Sequence, residues 1–205
     1  MTLSETMWRH DGRLDEAAYL DDFFKYFGRL NRTFRKIEFG QTFAEPGNPS
    51  WEAFNRGDWK RALGLMEQRS DEGKKYFAGL AKEHKKALRV RIVAQPFSDY
   101  LIWELNVLRY NERLGEIVRV IDVKDAQRLV RSDYLGDFIA LDETVAYRVL
   151  YGANGQNVGA ECSTDAKSIA GVVNAFDCLF DHGEPLGEFF AREVSTLKPR
   201  TVALR

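Results

Sequence analysis

The feature that most constrains the fold is a strand–helix–strand unit over residues 88–123. Residues 88–94 alternate between apolar and mostly basic side chains, which predicts a strand, and Pro96 follows its end. Apolar residues then recur at helical spacing until Gly115, and residues 116–123 alternate again. Two strands joined by a helix in this way pair in parallel through a right-handed crossover. We therefore expect a sheet with parallel strands and a helix packed against it.

Periodic patterns elsewhere predict a mixed sheet with helices on both of its faces. Further strands are predicted at residues 33–39, 138–141, 144–151 and 158–162, and amphipathic helices at 15–31, at 59–86 and after Asp165. The last two strands are joined through Asn154-Gly155, a dipeptide that favours a hairpin turn. We therefore expect an α+β or α/β fold with a sheet of about five or six strands.

Length and composition predict one domain over residues 1–205. The chain is 44% hydrophobic and 30% charged, which is typical of a globular protein with a sizeable core. We divide it into a mainly helical N-terminal part at 15–87, a βαβββα part at 88–192 and a tail at 193–205 that lacks sustained periodicity.

Charge and cysteine content argue against several classes of function. The 30 basic and 31 acidic residues give a net charge of −1, so we do not expect direct binding to nucleic acid. The two cysteines lack CxxC spacing and the three histidines do not cluster, so we expect neither a metal nor a cofactor. No apolar run resembles a signal peptide or a membrane span, which predicts a cytoplasmic protein away from membranes.

The best candidate site lies where strand 88–94 meets the helix that follows it. Ligands of open α/β sheets bind beside the carboxyl ends of strands, where Arg91, Asp99, Tyr100 and Glu104 would converge. Such a crevice suits either an enzyme that uses a carboxyl group as acid or base, or a sensor of a small polar ligand. The alternative is a structural ion-pair network beside a helix N-cap, and the pattern leaves both open.

A second candidate is a row of guanidinium groups on the sheet. Arg89 and Arg91 share one strand face, and Arg119 would neighbour them if the two strands pair in parallel. Such a row suits a phosphate or a carboxylate. The alternative is that these arginines pair with acidic residues of a covering helix.

Four stretches carry a resemblance to a known family. They are FRKIEF, RVRIVAQPFSDYLIWEL, GEIVRVI and DFIALDETV. Over residues 34–189 the chain resembles an uncharacterised actinobacterial domain-of-unknown-function family, found mostly beside genes for helix-turn-helix regulators. The resemblance implies a genomic neighbour, and it implies no activity.

The order of elements also resembles one half of the phospholipase D fold. That superfamily uses an HxKxxxxD motif, in which the histidine attacks phosphorus and the lysine neutralises the developing charge. Placing the aspartate on Asp142 puts Leu135 at the histidine position and Asp137 at the lysine position. The resemblance thus implies a half without catalytic groups. Because such halves usually work in pairs, it also implies a homodimer.

These observations predict a non-enzymatic binding or regulatory module that acts with a protein partner, such as a helix-turn-helix regulator. The alternative is an enzyme or small-ligand sensor that uses the crevice of Arg91, Asp99, Tyr100 and Glu104. An open apolar surface elsewhere on the molecule would favour the first reading.

Overall fold

A computed structural model describes residues 7–68 and 70–200 of the chain. Its strands are β1 (Gly12–Leu14), β2 (Thr33–Glu38), β3 (Lys86–Val93), β4 (Ile117–Asp122), β5 (Phe138–Leu141), β6 (Val145–Tyr151), β7 (Asn157–Ser163) and β8 (Glu184–Pro185). Its helices are α1 (Glu16–Phe27), α2 (Pro49–Asn55), α3 (Trp59–Gln68), α4 (Ser70–Lys82), α5 (Asp99–Leu114), α6 (Val123–Leu129), α7 (Ala166–His182) and α8 (Leu186–Phe189). A 3₁₀ turn spans Ser132–Tyr134 and a π-helical turn spans Phe190–Val194.

The sheet is mixed and has the order β1-β7-β6-β5-β2-β3-β4-β8. Strands β2, β3 and β4 are parallel, and every other neighbouring pair is antiparallel. The predicted fold class is confirmed, but the predicted strand count was too low. The six predicted strands are present, and β1 and β8 are added at the two edges.

Helices cover both faces of the sheet, as predicted. On one face, α7 packs against β2, β3, β4, β5 and β6, and its buried residues include Ile169, Val172, Phe176 and Leu179. On the other face, α1 covers the β5–β7 end, while α5 and α8 cover the β4 end. Helices α2 and α3 pack on the outside of α5 around Trp103.

The predicted βαβ unit is confirmed, and its helix is capped at both ends. Strands β3 and β4 pair in parallel, and α5 joins them. The Ser98 hydroxyl caps α5 by accepting the backbone N–H of Leu101 at 3.0 Å. Gly115 ends the helix at a positive φ of 123°, a conformation that glycine adopts without strain. These caps fix where the first turn of α5 lies relative to the end of β3.

The N-terminal part contributes a central strand to the same sheet. Strand β2 lies between β3 and β5 and pairs with both. The predicted helix 59–86 corresponds to α3 and α4, with residue 69 outside the described residues, and its last predicted residue, Lys86, begins β3 instead. Residues 201–205 of the predicted tail also lie outside them. No helix within 7–68 and 70–200 has both the length and the apolar character to cross a membrane.

Gly159 allows β1 and β7 to approach closely, and we predict that it resists substitution. Its φ is +127°, and a Cβ atom there would lie 2.0 Å from the backbone oxygen of Leu14. Gly159→Ala should therefore lower the free energy of unfolding by at least about 2 kcal/mol in urea denaturation. Gly12→Ala is the matched control, because its Cβ would meet nothing within 4 Å. Equal effects of the two changes would contradict this account.

Candidate functional site

Arg91 lies at the centre of the candidate site. The alternation of β3 turns Val90 and Ile92 towards α7 and turns Arg91 towards α5, where its side chain is 0% exposed. Its Nε donates to Oε2 of Glu104 at 2.7 Å. Its remaining nitrogens donate to the backbone oxygens of Glu38, Gly40 and Ile92 at 2.6–3.2 Å. One guanidinium group thus joins β2, β3 and α5.

Tyr100 and Glu104 complete this cluster from successive turns of α5. The Tyr100 hydroxyl donates to Oε1 of Glu45 at 2.7 Å and lies 3.4 Å from Oε1 of Glu104. Tyr100 is 4% exposed and Glu104 is 6% exposed. The cluster is therefore enclosed by protein.

Burial governs the ionisation of these groups. Burial raises the pKa of Glu104 to about 7, because it outweighs the attraction of Arg91, and the negative charge of Glu38 adds to the rise. Burial, Glu104 and Glu45 together raise the pKa of Tyr100 far above its ordinary value. Tyr100 is therefore a neutral hydrogen-bond donor at every physiological pH.

A second set of charges continues from Arg91 along the same sheet face. Oε1 of Glu38 lies 2.6 Å from both Nζ of Lys36 and Nη1 of Arg89. Nε of Arg89 donates to Oε1 of Glu116 at 2.7 Å, and Nδ2 of Asn111 donates to Oε2 of Glu116 at 3.1 Å. We call this line of charges, from Glu104 to Glu116, the polar row.

The polar row is balanced in charge. It contains three cations and three anions, which are Lys36, Arg89 and Arg91 with Glu38, Glu104 and Glu116. Burial disfavours ionised Glu38, but Arg89, Lys36 and Arg91 outweigh burial and hold its pKa well below its usual range. Among the described residues, Oε2 of Glu38 has no hydrogen-bond partner. Each of the other charged groups of the row has a partner of opposite charge within the row.

The loop after β2 closes the crevice at the carboxyl end of β3. The Gln41 side chain donates to the backbone oxygen of Ile92 at 3.0 Å and accepts the N–H of Ala94 at 2.9 Å. The Phe43 ring packs against Tyr100 and Tyr151, with ring centres 5.5 and 4.4 Å away. A ligand would reach Arg91 only after this loop moved.

The structure brings together Arg91, Tyr100 and Glu104 from the first predicted site, but not Asp99. Oδ1 of Asp99 accepts the backbone N–H of Arg200 at 3.0 Å, outside the cluster. The contacts match the structural network that the sequence left open as an alternative.

The predicted guanidinium row was wrong in its third member. In the parallel register, Arg91 lies opposite Val120, and Arg119 lies opposite Val90. Arg119 therefore points to the α7 face, where its guanidinium carbon lies 5.4 Å from the centre of the Phe180 ring. Of the three arginines in the predicted row, Arg89 and Arg91 lie in the polar row and Arg119 does not.

Sequence reasoning missed the acidic partners in the row. Glu38 and Glu116 belong to segments that are distant from Arg89 or Arg91 in sequence, and Glu45 lies in a loop without periodicity. Lys36 and Glu38 do alternate with apolar residues in β2, which is the one signal that placed them on a common face. Their partners depend on the register between β2 and β3, which that pattern does not fix.

The residues aligned with the phospholipase D motif have structural contacts. Oδ1 of Asp137 accepts the backbone N–H groups of Phe39 and Gly40 at 3.0 and 3.4 Å. The carboxylate of Asp142 accepts three backbone N–H groups, from residues 31–33, at 2.7–2.8 Å. Leu135 packs against the core beneath α7. Each of the three thus supports a loop or the core.

An open groove lies between α4, α5 and the sheet. Its volume is about 350 Å³, and it is lined by Phe34, Gly73, Tyr76, Phe77, Ala87, Arg89, Asn111 and Glu116. We call it the α4 groove. The end of the polar row forms its floor, and aromatic rings form its walls. Within the described part of the chain, no group of three or more His, Cys, Asp or Glu side chains is arranged to hold a metal ion.

Comparison with protein families matches residues 21–191 to DUF6879, a domain of unknown function. The chain belongs to this family. The DUF6879 match covers all the elements that form the polar row and the α4 groove. No curated protein matches the chain. The actinobacterial distribution, the regulator genes nearby and the phospholipase D likeness stay predictions.

We predict that Glu104 makes the stability of the fold depend on pH. Its pKa of about 7 lies above the ordinary value of 4.5, so the stability that it contributes is complete below pH 4.5 and is lost as the pH rises to about 7. Glutamine does not titrate. The free energy of unfolding of wild type, minus that of Glu104→Gln, should therefore fall by up to about 3 kcal/mol between about pH 5 and pH 8.

Urea denaturation at a series of pH values measures this difference. Glu143→Gln changes an exposed carboxylate and serves as the reference for the assay. A difference for Glu104→Gln that stays constant over this range would show that Glu104 is ionised throughout, contrary to this account.

Proposed function

We propose that this chain is a non-enzymatic binding module that holds a segment of a protein partner in the α4 groove. The observation that carries the proposal is the groove itself, which is open, walled by aromatic side chains and floored by charges that already have partners. Arg89 in the floor is already paired with Glu38 and Glu116.

The enclosed cluster around Arg91 supports the non-enzymatic part of the proposal. A catalytic acid or base must come within hydrogen-bond distance of its substrate. Arg91 is completely buried, and the Glu104 carboxylate contacts Arg91 and Tyr100 beneath the loop that carries Phe43. An enzyme or sensor that uses this crevice would have to open it first.

The size and walls of the α4 groove favour a side chain of a partner over a small-molecule ligand. Pockets that enclose drug-sized ligands measure about 300–1,000 Å³, and this groove lies at the lower end of that range. Phe34 and Phe77 form its buried walls, while Tyr76 is 41% exposed. One large apolar or aromatic side chain would bury this surface as an anchor residue.

The groove also defines what the partner segment must contain. Its walls are aromatic, and Arg89 in its floor is already paired with Glu38 and Glu116. We therefore propose a partner segment that presents one large apolar or aromatic side chain as its anchor. The family resemblance suggests a helix-turn-helix regulator as the protein that carries it.

Site-specific photo-crosslinking tests the proposal. A benzophenone amino acid in place of Tyr76, in the full chain in its native cell, should crosslink to one protein. Mass spectrometry should place the crosslink at a large apolar or aromatic residue of that protein or next to it. The same probe at Ile117, which is 43% exposed on β4, is the control. Equal crosslinking from both positions, or none from Tyr76, would contradict the proposal.

A further inference from the structure

Helix α1 is apolar on two faces, and the fold covers only one of them. Tyr19, Phe23 and Phe27 pack against the sheet and its neighbouring aromatic rings. On the outer face, Leu20 is 43% exposed and Phe24 is 63% exposed. An exposed pair of large apolar side chains on one helix is a feature of interaction surfaces.

The exposed side chains belong to a stripe with the spacing of packed helices. Ala17, Leu20, Phe24 and Gly28 follow one another at intervals of three, four and four residues, so they lie on one helix face. The two large residues lie in the middle of the stripe, and the small residues lie at its ends. This arrangement lets a second helix approach closely at both ends while it packs on Leu20 and Phe24.

Two opposite charges lie on one flank of this stripe. Asp21 and Lys25 are four residues apart, and both are exposed. Nζ of Lys25 lies 3.7 Å from Oδ1 of Asp22, in a pair that leaves the lysine side chain 57% exposed. In an antiparallel pair of helices related by a twofold axis, a flank faces the same flank of the other copy in reverse order. Such a flank is complementary to itself.

We infer that two copies of this chain associate through antiparallel α1 helices. The twofold axis crosses the helix pair at the level of the peptide bond between Asp22 and Phe23. Leu20 then packs against Phe24 of the second copy, and Ala17 lies opposite Gly28. Asp21 lies beside Lys25 of the second copy, and the contact occurs twice. Self-complementary charge around an apolar centre selects a second copy of the chain as the occupant of this face.

The size of the face sets the strength of the dimer. One helix face buries less area than the roughly 1,200 Å² at which stable interfaces begin. The dimer therefore forms and dissociates with concentration. None of the stripe residues of α1 lines the α4 groove, so the two surfaces can be tested separately.

Charge exchange across the twofold axis provides the test. Sedimentation velocity of the wild type, from low micromolar to near-millimolar concentration, should show a monomer–dimer equilibrium. Asp21→Lys alone and Lys25→Asp alone should each weaken dimerisation by roughly fivefold or more, because each places like charges together twice. The double exchange, Asp21→Lys with Lys25→Asp, should restore it, since the attractive pair is rebuilt in reverse.

A second variant tests the apolar centre. Phe24→Ser should abolish the dimer and leave the circular dichroism spectrum unchanged, because this side chain is mostly exposed in the monomer. Ile117→Ser, at an exposed residue of β4, is the matched control and should dimerise like the wild type. A monomer at every concentration, a dimer that tolerates both single charge changes, or failure of the double exchange to restore dimerisation would each overturn the inference.

Discussion

The buried guanidinium group of Arg91 is the constraint on which the rest of the site depends. It is fully enclosed, so each of its contacts must be made within the protein. Its bonds to Glu104 and to the backbone oxygens of Glu38 and Gly40 bring α5 and the loop after β2 to the end of β3. Removing one partner of such a buried pair typically costs about 3–5 kcal/mol. The position of the loop is therefore tied to one side chain.

The loop after β2 closes the place where folds of this kind usually bind a ligand. In open α/β sheets, ligands usually bind beside the carboxyl ends of the parallel strands. Here Gln41 and Phe43 occupy that place, through bonds to β3 and ring contacts with Tyr100 and Tyr151. Two accessible apolar features lie further out, at the α4 groove and on the outer face of α1. Both suit protein contacts, which is why the proposed activities are binding events.

Local patterns predicted the elements, whereas the partners across the sheet depended on register. Strand β3 and helix α5 follow from alternation, from helical spacing and from Gly115, which are local signals. The edge strands β1 and β8 have three and two residues, too few to show a period. The predicted row of three arginines was wrong because the register places Arg119 opposite Val90. Register is decided by packing between distant segments, which the local pattern does not show.

Hydrogen–deuterium exchange of Arg91→Met tests the central claim most directly. The reporters are the loop amides of Phe39, Gly40 and Ala44, which donate to Asp137 and to the backbone oxygen of Gly155. If Arg91 holds the loop, these amides should exchange at least about tenfold faster in Arg91→Met than in wild type, while amides of α7 keep their protection. The control is Arg119→Met, on the opposite face, which should leave the loop unchanged. Loop amides that keep wild-type protection in Arg91→Met would contradict the account.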